Sequence, residues 1–190
     1  MSKWRVEKTE LDGLVILTPK VWEDERGSFR EIYHQPDFSA LGFSWRFLQE
    51  NQSVSGKGVL RGLHFQWEHP QAKLVRVASG KVIDVAVDLR RESDTFGKSF
   101  SMELSAENGK MIYLPERFAH GFLSVEAQTT TIYKCSEVYH PEFDSGIRWN
   151  DETLAIDWQL ENHGLRAPLI SEKDRHLMSF RDFLTSGVFP

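Results

Sequence analysis

The chain has 190 residues, enough for one substantial core and few for two, so residues 1–190 are expected to form a single domain. Hydrophobic residues make up 40% and charged residues 27%, and no apolar run approaches the length of a bilayer span, which argues against a helical membrane protein. The net charge of −5 argues against a general nucleic-acid or membrane-surface binder, and it leaves an anionic small molecule as a ligand only where basic residues gather locally.

The first ten residues, MSKWRVEKTE, contain no apolar signal core, and the single cysteine, Cys135, has no internal disulfide partner. Both features fit a reducing, cytoplasmic compartment. Trp4-Arg5-Val6 and Leu14-Val15-Ile16-Leu17 are short β-like runs separated by the turn signal Asp12-Gly13, which predicts an edge hairpin or an arm. Residues 23–33, EDERGSFREIY, read as a charged turn leading into an alternating strand. Pro36 to Gly42 predicts one or two helical turns, with proline early and glycine just past the end.

From Trp45 onward, strand-like runs cover 46–54, 59–66, 73–78, 81–90, 99–105, 110–114, 121–126 and 128–136, with Gly, Pro, Asn or Asp at the joins. Many short strands without helical periodicity predict an all-β sandwich or barrel, with a few short flanking helices. Within 59–77 the two runs are joined by a turn containing Pro70, and they hold Arg61, His64 and Lys73 among apolar residues. In a regular strand Arg61 and His64 would face opposite ways, but Gly62 between them marks a bulge or close backbone approach that would turn both to one side. In 82–89, Ile83, Val85, Val87 and Leu89 share one face and Asp84, Ala86 and Asp88 the other. A polar-lined cavity would explain Asp84 on an inner face; a wet outer face is the alternative.

After Tyr139 the chain turns irregular. Residues 154–158 suggest a late strand or a short turn. Ser171-Glu172-Lys173-Asp174 has the spacing of a capping box, predicting a helix that opens there and runs through Leu177 and Phe180. On spacing alone Asp174 serves N3 capping as readily as catalysis.

Chemistry is then a matter of elimination. His64 is followed by Phe65 and Gln66, so the His-x-His pair of a metal-binding cupin is missing, and no metal or other cofactor is expected. There is no G-x-S-x-G elbow, no G-x-G-x-x-G and no P-loop. What remains is general acid–base chemistry. His64 is a candidate to take a proton, a tyrosine such as Tyr133 to return one, and Lys73 to hold the negative charge that develops between those steps.

The ordered set of segments resembles the dTDP-4-dehydrorhamnose 3,5-epimerase family through nearly the whole chain. The matching stretches are Asp24-Glu25-Arg26-Gly27, Gln49-Glu50-Asn51, VLRGLHFQ at 59–66, AKLVRV at 72–77, GKVIDVAVDLR at 80–90, AHGFL at 119–123, IYK at 132–134, GIRWND at 146–151 and ISEKD at 170–174. Arg117 stands where that family often has glycine, at a turn suited to a positive φ.

The resemblance implies a cupin-type jelly-roll barrel and a cofactor-independent inversion of C3 and C5 of dTDP-4-dehydro-6-deoxy-D-glucose. It implies His64 as base, Asp174 as the carboxylate that orients it, Tyr133 as the opposite proton donor and Lys73 as the group near the 4-keto oxygen. Substrate binding falls by the same resemblance on Arg26, Glu31, Gln49, Glu50, Asn51, Arg61, His120, Asp144 and Lys173. It further implies a homodimer in which an N-terminal arm adds to the partner's sheet. Two other readings stay open here: an epimerase acting at C3 only or C5 only on a related nucleotide sugar, and a non-catalytic or metal-dependent cupin.

Overall fold

A computed structural model describes residues 3–43 and 46–189. The N-terminal strands are β1 (Trp4–Lys8), β2 (Val15–Pro19), β3 (Val21–Asp24) and β4 (Gly27–Arg30), followed by α1 (Gln35–Ala40). The central strands are β5 (Gln49–Ser55), β6 (Leu60–Gln66), β7 (Lys73–Ser79), β8 (Lys81–Asp88), β9 (Ser99–Ser105), β10 (Met111–Leu114), β11 (Phe118–Ser124) and β12 (Thr129–Cys135). The chain ends with β13 (Asp144–Gly146), α2 (Glu172–Arg175) and α3 (Phe180–Thr185).

Two antiparallel sheets face each other as a cupin-like jelly roll. One runs β1-β2-β10-β7-β12-β5 and the other β13-β6-β11-β8-β9, while β3 and β4 form a separate hairpin. The residues between the sheets include Val75, Val77, Val82, Ala86, Ile112, Phe118 and Phe122. The other side chains of β6 and β8, among them Leu63, Phe65, Ile83, Val85 and Val87, pack under Leu154, Trp158, Phe180, Phe183 and Phe189 of the C-terminal segment. On the far side of the six-stranded sheet, Trp4, Leu17, Leu74 and Met111 are covered by Phe38 of α1. Burying both faces of β8 and β11 is what allows their unusually apolar sequences.

The expected edge hairpin at residues 4–17 is present: Trp4 to Lys8 pair with Val15 to Pro19, and β2 then pairs with β10 of the same chain. Three expectations are corrected. The strand expected from 121 begins at Phe118, because Arg117 takes the turn at φ 64° and extended pairing with β8 starts at once. The strand expected through 90 stops at Asp88, whose carboxylate accepts from Arg90, Ser93 and Thr95 and closes a turn. The single helix expected from 171 through 180 is two helices, since Met178 is drawn into an extended bridge with Ile147 and accepts the Arg148 amide at 2.9 Å. Residues 154–158 form no strand; Trp158 is buried and donates its indole N–H to the Trp149 carbonyl at 2.8 Å.

β6 and β7 follow one another in sequence but lie in different sheets. The turn through Pro70 therefore carries the chain across the barrel, and His64 and Lys73 end on opposite walls.

Candidate active site

The space between the walls is a cavity of about 480 Å³, lined in part by Arg61, His64, Lys73, His120, Tyr133 and Asp174. Both Arg61 and His64 line it, and the local backbone explains how. Opposite β11 the register steps from His120↔His64 to Phe122↔Arg61, so β6 carries one extra residue there. Gly62 has φ +124° and sits so close to β11 that a Cβ would lie 2.5 Å from the Gly121 Cα. Only glycine allows that approach, and the bulge it makes turns Arg61 to the side of His64.

His64 is held by Asp174, whose Oδ1 lies 2.8 Å from Nε2. The other oxygen, Oδ2, accepts the Gly62 amide at 3.3 Å. Ser171 caps the backbone N–H of Asp174 at 3.1 Å, leaving the carboxylate free to face the histidine. Burial alone would raise the Asp174 pKa, but the bonds from His64, Gly62 and Ser171 hold it below the usual carboxylate range. It is therefore ionised at neutral pH, and an ionised partner orients an imidazole and makes it a stronger base.

On the other wall Tyr133 and Lys73 come from adjacent strands β12 and β7. Burial raises the Tyr133 pKa, with the Cys135 sulfur adding to it, so the phenol keeps its proton at neutral pH. Burial lowers the pKa of the Lys73 ammonium, against the opposing charges of Cys135, Asp144 and Asp84. Cys135 is buried in β12, and burial raises its thiol, so it packs as a small apolar side chain.

The remaining expected site residues divide into three groups. Arg61, His120 and Lys173 line the cavity. Asp144, Asn51 and Gln49 lie one step behind the lining: Asp144 pairs with Lys173 and accepts from the Tyr139 hydroxyl at 2.6 Å, Asn51 stands opposite Tyr133 in the β5–β12 register, and Gln49 donates to Asn51 at 2.9 Å. Arg26, Glu31 and Glu50 do not reach this chain's cavity. Arg26 sits on the exposed β3–β4 hairpin beside Asp24, Glu31 pairs with Lys3 at 3.3 Å, and Glu50 points to the outer face of β5 and pairs with Lys134.

Ser53 and Phe122 also line the cavity and were missed in the sequence. Period-two alternation from Asn51 and from His120 is the signal that finds them. Asp84 does face inward, as one of the two readings of its strand held, and it is fully buried. Among the described residues, the one grouping of His, Cys, Asp and Glu close enough to share a metal ion is Glu31, His34 and Asp37, which lies outside the cavity with Lys3 already paired to both carboxylates.

A histidine bonded to an ionised carboxylate on one wall, facing a neutral phenol and a lysine on the other, is an arrangement able to remove a proton from one face of a bound carbon acid and return one to the opposite face. The comparisons point the same way. The profile of the family described as dTDP-4-dehydrorhamnose 3,5-epimerase matches residues 8–182. An enzyme of that description from Methanothermobacter thermautotrophicus is 50% identical over 182 residues, covering 96% of this chain and 97% of the relative. The crystal structure of a dTDP-6-deoxy-D-glucose-3,5-epimerase from Legionella pneumophila, in complex with dTDP-4-keto-L-rhamnose, is similar with a TM-score of 0.89 and 42% identity, over 94% of this chain and 93% of that one. The epimerase structure from Mycobacterium tuberculosis is similar with a TM-score of 0.92 and 40% identity, over 98% and 93% of the two chains.

Proposed function

The chain belongs to the dTDP-4-dehydrorhamnose 3,5-epimerase family, and from that membership we propose how its own residues carry the reaction. It is an isomerase of dTDP-rhamnose biosynthesis, converting dTDP-4-dehydro-6-deoxy-D-glucose to dTDP-4-dehydro-L-rhamnose. His64, oriented by Asp174, removes the proton at C3, alpha to the 4-keto group. The electron pair of the broken C–H bond moves onto the ketone oxygen, and Lys73 stabilises the resulting enolate. Tyr133 then delivers a proton to the opposite face of C3, and the same cycle inverts C5. After each cycle His64 holds one extra proton and Tyr133 lacks one, and exchange with solvent restores both.

The observation that carries this reading is the division of labour between walls. His64 and Asp174 stand on one side of the cavity, Tyr133 and Lys73 on the other. A base and an acid on the same side would return the proton where it came from. Arg61, His120 and Lys173, with Gln49, Asn51 and Asp144 one step behind the lining, are the binding groups within one chain. Arg61 and Lys173 supply local positive charge for the diphosphate of an anionic substrate in an acidic protein.

A homodimer and a cytoplasmic location are part of the same reading. The β3–β4 hairpin leaves Trp22 and Phe29 exposed, Phe29 by 67%, a surface suited to a second copy. Arg26, Glu31 and Glu50 act as binding residues in this reading only where such a copy brings them to a cavity. No helix among the described residues is long and apolar enough to cross a membrane.

The test is incubation with dTDP-4-dehydro-6-deoxyglucose in heavy water, reading deuterium and configuration at both carbons. Deuterium and inversion at C3 and C5 support the full mechanism. Deuterium at one carbon alone would make it a single-centre epimerase, and none at either would overturn the roles of His64 and Tyr133.

A further inference from the structure

The five-stranded sheet holds a second carboxylate–histidine pair, Asp84 with His120, of which the mechanism above gives the carboxylate no role. Asp84 of β8 is fully buried, between Val82 and Ala86 on the inward face of its strand. Its Oδ2 lies 2.9 Å from the Nε2 of His120, which is itself only 7% exposed and lines the cavity. Its Oδ1 is buried with no hydrogen-bond partner among the described residues. A carboxylate with half its acceptors unused is costly in an apolar layer, so its charge calls for an explanation.

A carboxylate only accepts, so the Nε2 of His120 carries the proton that joins them. If His120 is otherwise neutral, its Nδ1 is left as an acceptor and the Asp84 charge is uncompensated by the histidine. Across the barrel Lys73 needs such a charge. Its ammonium is buried, which lowers its pKa, and the groups that oppose this are the Cys135 sulfur first, then Asp144 and Asp84. Asp144 is already paired with Lys173 and bonded by Tyr139, and the Cys135 thiol is held neutral by burial. The other groups around the cavity, Arg61, His64, His120 and Tyr133, are neutral or cationic, and Asp174 is committed to His64. Asp84 is the remaining carboxylate, with its Oδ2 on His120 and its Oδ1 without a partner, and low dielectric lets a carboxylate there act at a distance.

We propose that Asp84 is a positioning residue for the reaction: it holds His120 as the Nε2–H tautomer, and its charge keeps Lys73 an ammonium in the closed cavity. The proposal rests on the epimerase reading, with Lys73 as the group that meets the enolate. Asp84 itself touches neither substrate nor reacting atoms.

The experiment compares the wild type with Asp84→Asn, which keeps shape and removes charge, over a full pH profile of kcat and KM. Loss of the anion destabilises the Lys73 ammonium, so the alkaline limb of kcat should move to lower pH. At neutral pH kcat should fall about 10- to 100-fold, while KM changes less than about threefold. An unchanged kcat and limb would overturn the proposal, and so would a loss of kcat with the limb unmoved, which is what a merely structural role produces. Nitrogen-15 spectra of the wild type decide independently of activity and of whether the variant folds. A protonated Nε2 with a bare Nδ1 on His120, together with an ammonium at Lys73 at the pH of maximal turnover, is the expected result; an Nδ1–H tautomer or a neutral Lys73 amine would overturn it. A wild type without turnover on the keto sugar would instead defeat the epimerase reading, and the spectra would still report on the pair.

Discussion

The Asp174 carboxylate lies 2.8 Å from the Nε2 of His64, although 110 residues separate them. Ser171 makes its half of a capping box on the Asp174 amide, but the Asp174 carboxylate does not accept from the Ser171 backbone N–H. It goes instead to His64 and the Gly62 amide. The complete capping box of this region is one helix later, between Ser179 and Asp182. Replacing Asp174 by Asn should therefore leave α2 capped and lower kcat by about 10²- to 10⁴-fold. Circular dichroism and kcat measured together check this, and near-normal turnover would remove Asp174 from the mechanism.

His64→Ala should abolish turnover while the fold persists, since the imidazole is partly exposed to the cavity rather than packed in the core. Thermal unfolding should shift little. Turnover close to wild type would exclude His64 as the base.

Tyr133→Phe should uncouple the two proton transfers. Abstraction from C3 and C5 is still served by His64, so deuterium exchange into recovered substrate should continue while inversion is lost. Equal loss of exchange and inversion would count against Tyr133 as the donor.

The alkaline limb of kcat should belong to Lys73. Burial holds its pKa below the ordinary lysine value, whereas burial raises that of Tyr133, so as pH climbs the ammonium is lost at a lower pH than free lysine would lose it. A lowered pKa in a group needed as a cation moves the fall in activity toward neutrality. Lys73→Arg, which does not deprotonate in this range, should shift the limb to higher pH whatever it does to the maximum. A limb in the same place in that variant would assign it to another group.

Gly62→Ala should destabilise the whole domain. Alanine there would need φ +124° and would put Cβ 2.5 Å from the Gly121 Cα and 2.8 Å from the His120 carbonyl oxygen, both backbone atoms that cannot swing aside. A loss of roughly 3 kcal/mol or more is expected, read as a drop in the denaturant midpoint. A variant of wild-type stability would mean that β6 and β11 can separate at no cost.

Much of the fold is legible in the chain because antiparallel strands declare themselves locally. Period-two alternation and the Gly, Pro, Asn and Asp joins locate β5 to β12 to within a few residues. The misplacements have local causes that alternation does not carry. Arg117 adopts the positive φ that the family's glycine at this turn suggests, which alternation along the strand does not locate, and Asp88 ends its strand with its own carboxylate. The helix expected over 171–180 breaks because Met178 pairs with a strand-like segment some thirty residues earlier, a contact that no window around 178 contains.

By itself the sequence determined the chemistry available: a histidine, a tyrosine, a lysine and a set of arginines on β-strands, with no motif for metal, nucleotide cofactor or nucleophile. It also flagged Gly62 as the place where Arg61 and His64 turn to one side, since glycine in a strand has a local physical meaning. Only the tertiary structure decided which wall each group stands on, that Asp174 serves His64 rather than its own helix, that Asp84 and His120 form a buried pair, and that Glu50 faces away from its neighbours Gln49 and Asn51. The reason is the range of the forces involved. Backbone preferences and side-chain alternation act within a few residues, whereas the direction of a proton transfer depends on which strands pack across the cavity, and that follows from the burial of apolar faces contributed by the whole chain.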